Sequence, residues 1–144
     1  MRQQFRERFG APEFPVPVES IAEDLLGLAV ERVGMECSGM LLPDERRILV
    51  NANEPDTRQR FTIAHELGHW ICQCLEGTTE PVYCRAEQVD ESAKALEREA
   101  NVFAAELLMP EDAVRSTHEN RFGVSDLAYR WRLFSFGLGE APGG

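Results

Sequence analysis

The chain has 144 residues, of which 43% are hydrophobic and 28% are charged, and this suits one soluble domain with a sizeable core. No apolar run reaches the ~18 residues that cross a membrane, and the charged N-terminus lacks the apolar stretch of a secretory signal, so we expect a cytoplasmic protein. The formal net charge of −10 argues against a phosphate-binding surface, and therefore against direct binding of nucleic acid.

The N-terminal half predicts a short helix followed by a small sheet. The segment "ESIAEDLLGL" (19–28) groups its apolar residues on one side, which is typical of a short helix. Three strands with short connections fit "LAVERV" (28–33), "CSGMLL" (37–42) and "RILVN" (47–51). We therefore expect an antiparallel or mixed sheet of about three strands, whose edge near "ILVN" would bind an extended peptide as an added strand.

The C-terminal half predicts two long helices and two shorter ones. The expected helices span about 56–75, 91–109, 110–120 and 123–136, with an irregular segment at 76–90. Ser125 is the expected N-cap of the last helix. The elements together predict an α+β fold in a single domain over 1–144, with an N-terminal segment at 1–14 that is open to fraying and a disordered tail at 138–144.

The first long helix contains the stretch "FTIAHELGHW" (61–70), with two histidines four residues apart. On a helix, His65 and His69 lie one turn apart on the same face, with a rise of ~6 Å that two imidazoles can close to reach one ion. Glu66 points about a quarter turn away, near such an ion but not as a ligand. This is the arrangement in which a glutamate takes a proton from water in a metalloprotease. The alternative is a core helix that happens to have two polar neighbours.

Gly68 lies on the apolar stripe of the same helix. A glycine in the middle of a helix costs ~1 kcal/mol relative to alanine. We expect that another element approaches the helix closely at this position.

A catalytic zinc ion usually takes three protein ligands, so a third ligand is expected elsewhere. The second long helix offers Glu97, which shares its side with Asn101 and with small or apolar residues. A carboxylate on such a surface needs a strong partner, and a metal ion is one. Asn101 would accept a hydrogen bond from a ligating histidine and fix its tautomer. Glu99 is the alternative ligand, although its side of the helix has a solvent-like composition.

The metal is expected to be Zn²⁺, although two imidazoles and a carboxylate also accept Mn²⁺, Fe²⁺ or Co²⁺. Cys72, Cys74 and Cys84 leave open a second zinc site, but ordinary thiols are the simpler interpretation. His118, Tyr83 and Tyr129 are candidates for stabilising an oxyanion by residue type alone.

Two motifs, "RQRFTIAHELGHW" and "EREANVFAAELLMP", resemble those of the ImmA/IrrE family of metallo-endopeptidases. The resemblance covers roughly 15–137 and includes "PVPVESIAEDLLGL", "SGMLL" and "ILVN" upstream. It implies a zincin-like fold in which His65, His69 and Glu97 bind the metal. It also implies that Glu66 is the general base, with Ala100 and Asn101 completing the family's E-x-x-A-[ND] segment.

The resemblance further implies a protein substrate, a helix-turn-helix repressor or an antitoxin-like regulator, whose cleavage switches on stress or mobile-element genes. Many family members have an additional DNA-binding or sensory domain, whereas this chain is expected to be the protease domain alone. The alternative function is a zinc-binding regulator that sequesters such a partner without cutting it. A DNA-binding role for "FGVSDLAYRWRL" (122–133) is disfavoured by the net charge of −10.

Overall fold

A computed structural model describes residues 14–72, 82–83 and 91–143. Its elements in chain order are α1 (Val18–Ser20), a π-helical turn (Ile21–Leu25), β1 (Ala29–Val33), β2 (Gly39–Leu42), a 3-10 turn (Pro43–Glu45), β3 (Arg47–Asn51), α2 (Asp56–Cys72), β4 (Val82–Tyr83), α3 (Glu91–Leu108), α4 (Glu111–Arg115) and α5 (Asp126–Ser135). The predicted α+β class is confirmed. Within the described residues, no helix is both long and apolar enough to cross a membrane.

The sheet is mixed, and its strand order is β1-β3-β2-β4. β1 runs parallel to β3, with Val30 opposite Ile48, and β2 runs antiparallel to both β3 and β4. β4 lies in the segment predicted to be irregular, because a strand of two residues has no alternation that a sequence pattern can detect. The suggested peptide-binding edge at "ILVN" is wrong, since β3 is paired on both sides and has no free edge.

α2 is covered on two sides, by β2 and β3 of the sheet and by α3. As a result, all nine residues from Thr62 to Trp70 are buried. Ile63 and Leu67 are fully buried, and each such side chain stabilises the fold by roughly 1.5–3 kcal/mol. The polar residues His65, Glu66 and His69 are therefore held in the same rigid, packed segment.

The close approach predicted at Gly68 is present, and α3 makes it. A Cβ built on Gly68 would lie 3.0 Å from the Cα and 3.1 Å from the carbonyl oxygen of Ala100. Ala100 is fully buried in this contact, whereas Leu96, which precedes it by one turn at the spacing of an apolar helix face, is 41% exposed. The packed part of α3 therefore begins nearer its middle than the sequence pattern suggests.

α3 and α5 follow the predicted boundaries closely, whereas α4 ends at Arg115, well before the predicted end at 120. The hydroxyl of Ser125 accepts a hydrogen bond from the backbone N–H of Ala128 at 3.1 Å, which confirms it as the N-cap of α5. The sequence predicts a disordered tail at 138–144. The structure describes residues 138–143 of this tail, in which Pro142 is buried. Of the N-terminal segment 1–14, for which fraying is predicted, residues 1–13 lie outside the described residues.

Candidate metal centre

Two helices bring three potential metal ligands to one point. His65 and His69 lie one turn apart on α2, and their Nε2 atoms are 3.1 Å apart. Glu97 of α3 reaches both, with Oε1 at 3.3 Å from His65 Nε2 and Oε2 at 2.5 Å from His69 Nε2. The three ligand atoms all lie within 4.8 Å of one another.

The contact at Gly68 explains why Glu97 can reach the histidines. Gly68 lies between the two histidines on α2, and it packs directly against the backbone of Ala100. Glu97 is one turn before Ala100 on α3, so the missing side chain at Gly68 brings its carboxylate within reach of α2. Glu97 remains only 28% exposed there.

Asn101 lies beside the histidines in the predicted position. Its side-chain oxygen is 2.8 Å from Nδ1 of His65 and accepts a hydrogen bond from it. With the proton on Nδ1, the Nε2 atom of His65 presents its lone pair to the centre. This is the tautomer that a metal-binding imidazole needs.

The chemistry of this donor set fits a cation. The carboxylate of Glu97 and the Nε2 atoms of the two histidines lie within contact distance of one another, and at least one Nε2 atom has a free lone pair. Hydrogen-bond acceptors this close repel each other unless a proton or a cation lies between them. The second ring nitrogen of His69, Nδ1, is buried and has no hydrogen-bond partner among the described residues. Two imidazoles and a carboxylate are also a common ligand set of catalytic zinc.

The carboxyl group of Glu97 has a perturbed pKa. Burial acts to raise it, but hydrogen bonds and charge interactions with His65 and His69 outweigh burial and lower the pKa of Glu97 to about 2. The group is therefore ionised at neutral pH, which is the state required of a metal ligand.

Glu66 lies next to the cluster and is 1% exposed. Neither of its carboxylate oxygens has a hydrogen-bond partner among the described residues. Burial, and secondarily the negative charge of Glu97, raise the pKa of Glu66 well above its usual range. A buried carboxylate without a partner destabilises a fold, so its presence indicates a functional role.

A cavity of about 150 Å³ opens onto this centre. Its lining residues are Ser38, Arg58, Phe61, Thr62, His65, Glu66, Glu97 and Asn101. The first four of these were missed from the sequence. A signal existed for Arg58 and Thr62, since they continue the line of His65 and His69 towards the start of α2, at intervals of three and four residues.

Several other candidates lie away from this centre. Glu99, the alternative ligand, is exposed and does not belong to the cluster. His118 is exposed and Tyr129 is buried against Phe122 in the core, and neither lines the cavity. The side chain of Tyr83 lies outside the described residues.

Of the three cysteines of the possible second zinc site, one lies among the described residues. Cys74 and Cys84 lie outside the described residues, and Cys72 is half-buried near the end of α2. The suggestion of a Cys-ligated site therefore stays a prediction.

Comparison with known proteins identifies relatives of the chain. Residues 6–134 match the family model of the IrrE N-terminal-like domain. The chain is 35% identical over 90 residues to the radiation response metalloprotease IrrE of Deinococcus radiodurans, covering 62% of this chain and 27% of that protein. It is 34% identical over 76 residues to the metallopeptidase ImmA of Bacillus subtilis, covering 51% of this chain and 43% of that protein. The matches thus span less than half the length of either relative.

Proposed function

Because the chain belongs to the family of the IrrE N-terminal-like domain, we propose that it is a zincin-like, zinc-dependent endopeptidase. The observation that best supports this proposal is the convergence of His65, His69 and Glu97 beside Glu66, whose buried carboxylate has no partner. A purely structural cluster would have no use for an unpartnered carboxylate at this place. The names of the two relatives, both metallopeptidases, agree with the proposal.

In the proposed reaction, His65, His69 and Glu97 would hold the zinc ion. A divalent ion at such a site lowers the pKa of water and polarises a peptide carbonyl. Glu66 accepts the proton of the attacking water on its carboxylate and passes it to the leaving amine. Asn101 fixes the ring of His65 through the 2.8 Å hydrogen bond.

The proposed substrate is a helix-turn-helix transcriptional repressor or an antitoxin-like regulator. This part of the proposal is supported by the resemblance of the two helical motifs to the ImmA/IrrE family. A folded regulator would present an extended, exposed segment to the cavity, since a cavity of about 150 Å³ admits single side chains and not a packed domain.

The test is incubation of the zinc-loaded protein with a helix-turn-helix repressor from the same genome, followed by mass spectrometry of the products. We expect two defined fragments with the wild type and none after chelation of the metal. Glu66→Gln should retain zinc and lose cleavage, whereas Glu99→Gln, an exposed glutamate outside the cluster, should cleave like the wild type. Stable binding of the repressor without fragments would favour the non-cleaving regulator instead. Cleavage by Glu66→Gln at the wild-type rate would refute the role of Glu66.

A further inference from the structure

Among the described residues that line the cavity beside the candidate metal centre, Arg58 is the one lysine or arginine. This cation is unexpected, because the chain as a whole has a net charge of −10 and the cavity also contains Glu66 and Glu97. Its side chain is 53% exposed, so it is accessible to a molecule that enters the cavity.

Hydrogen bonds and a ring contact hold the side chain of Arg58 in place. Its Nε and Nη2 atoms donate to the hydroxyl of Ser38 at 3.3 and 3.2 Å. Ser38 in turn donates to Glu54 at 3.0 Å, and the guanidinium lies over the ring of Phe61 at 5.9 Å. These contacts restrict the long side chain, which reduces the entropy that a ligand must remove on binding.

The contacts of Arg58 leave part of the guanidinium available. Among the described residues its nearest carboxylate is Glu54, 3.9 Å away from Nε and thus beyond hydrogen-bond distance, and Glu54 already accepts a hydrogen bond from Ser38. No described residue accepts a hydrogen bond from Nη1 of Arg58. A surface ion pair alone would not need the serine between its partners, so the arrangement is better suited to receiving a further anionic group.

The position of Arg58 relates it to the metal centre. It precedes His65 by seven residues on α2, which corresponds to a rise of ~10 Å along the helix axis. An extended peptide that ran along α2 would advance ~3.3 Å per residue, so a side chain at Arg58 would then belong to a residue about three positions from the bond at the metal centre. This separation along the helix axis suits Arg58 to selecting a substrate side chain.

We propose that Arg58, with Ser38 and Phe61, forms a subsite for an acidic side chain of the peptide substrate, about three residues from the scissile bond. This inference rests on the proposed peptidase function and specifies its substrate class as a segment with an acidic residue at that distance. Glutamate suits the subsite better than aspartate, because its additional methylene can pack on the ring of Phe61 while its carboxylate contacts Arg58. The overall negative charge of the chain would by itself favour basic peptides, so the preference of the subsite for an acidic side chain opposes the effect of the net charge.

The test measures peptide binding, so that it does not depend on cleavage. Zinc-loaded Glu66→Gln protein is offered blocked decapeptide libraries, each with Glu, Gln or Lys fixed at one position, and captured peptides are identified by mass spectrometry. We expect about three- to tenfold enrichment of Glu over Gln at one position, typical of a partly exposed charge-assisted contact. The enrichment should fall in about 1 M salt, where exposed charges are screened.

Variants at Arg58 assign the effect to this residue. On the same Glu66→Gln background, Arg58→Gln should abolish the enrichment of Glu, Arg58→Lys should retain part of it, and Arg58→Glu should reverse it in favour of Lys. The matched control is Arg130→Gln on α5, which removes an exposed arginine outside the cavity and should leave the enrichment unchanged. Enrichment that survives in Arg58→Gln, equal capture of Glu and Gln peptides, or no capture of any peptide would overturn the subsite.

Cleavage of the same libraries by the wild-type protein separates this inference from the proposed function. Cleavage without any preference for Glu would overturn the subsite while the peptidase function stands. Enrichment of Glu that depends on Arg58, without cleavage by the wild type, would support the subsite and contradict the peptidase function.

Discussion

Gly68→Ala is the substitution that most directly tests how the metal centre is assembled. The new Cβ would lie 3.0 Å from the Cα of Ala100, 3.1 Å from its carbonyl oxygen and 3.2 Å from the Cβ of Phe103. Carbon atoms pack best at about 3.5–4.0 Å, so the two helices must separate by roughly 0.5 Å. The atoms of Ala100 belong to the backbone and cannot rotate aside.

Two opposing terms determine the stability of this variant. Overpacking a tight contact costs about 1–3 kcal/mol, whereas replacing a helical glycine by alanine contributes about 1 kcal/mol of stability. We therefore expect the free energy of unfolding of the metal-free protein to fall by about 0–2 kcal/mol.

The effect of Gly68→Ala on metal binding should be larger than its effect on stability. Glu97 and Asn101 lie on α3 on either side of the Ala100 contact, so a shift of this helix lengthens both the Glu97–histidine distances and the 2.8 Å hydrogen bond to His65. Disturbed outer contacts of this kind lower metal affinity about 10- to 100-fold. We expect a loss of zinc affinity in this range.

The assay for Gly68→Ala combines urea unfolding of the metal-free protein with zinc titration against a competing chelator. The control is Gly139→Ala, whose Cβ would meet Leu133 at an ordinary 3.5 Å and should change neither quantity. A gain of the full ~1 kcal/mol expected from helix propensity, together with wild-type zinc affinity, would show that the helix contact does not position Glu97.

The remaining predictions concern single side chains. Glu97→Gln should lower zinc affinity by at least tenfold in a chelator competition, whereas Glu99→Gln, on the same helix but exposed, should not; equal losses would contradict the choice of ligand. Asn101→Ala should weaken zinc binding about 10- to 100-fold with an unchanged circular dichroism spectrum, and unaltered affinity would exclude its role in orienting His65. Ser125→Ala should lower the free energy of unfolding by about 1 kcal/mol through loss of the N-cap, and an unchanged urea midpoint would refute this.

The helical part of the centre could be predicted because it depends on local spacing. The interval between His65 and His69, the burial of their helix and the small side chain at Gly68 are all properties of one continuous segment. The choice of Glu97 over Glu99 also followed from the composition of one helix face. The structure brings the predicted residues together, with Asn101 bonded to His65 as expected.

The sheet and the cavity wall were harder to predict, because they depend on contacts between segments distant in the chain. The parallel pairing of β1 with β3 removes the free edge expected at "ILVN", and nothing in the sequence of either strand specifies this pairing. Leu96 fits the apolar period of α3 but is 41% exposed, since α2 covers only part of that helix.

The sequence by itself determined which residue types are available on each helix face, since helical periodicity is a property of neighbouring residues. Only the tertiary structure decided how the faces meet: α3 contacts α2 at Gly68, and the connection between β1 and β2 brings Ser38 against Arg58. The physical reason is that such contacts form wherever close packing and hydrogen bonding are satisfied between distant segments. Helical spacing therefore places Arg58 on the face of the two histidines, but only the folded chain shows that it lines a cavity with Ser38.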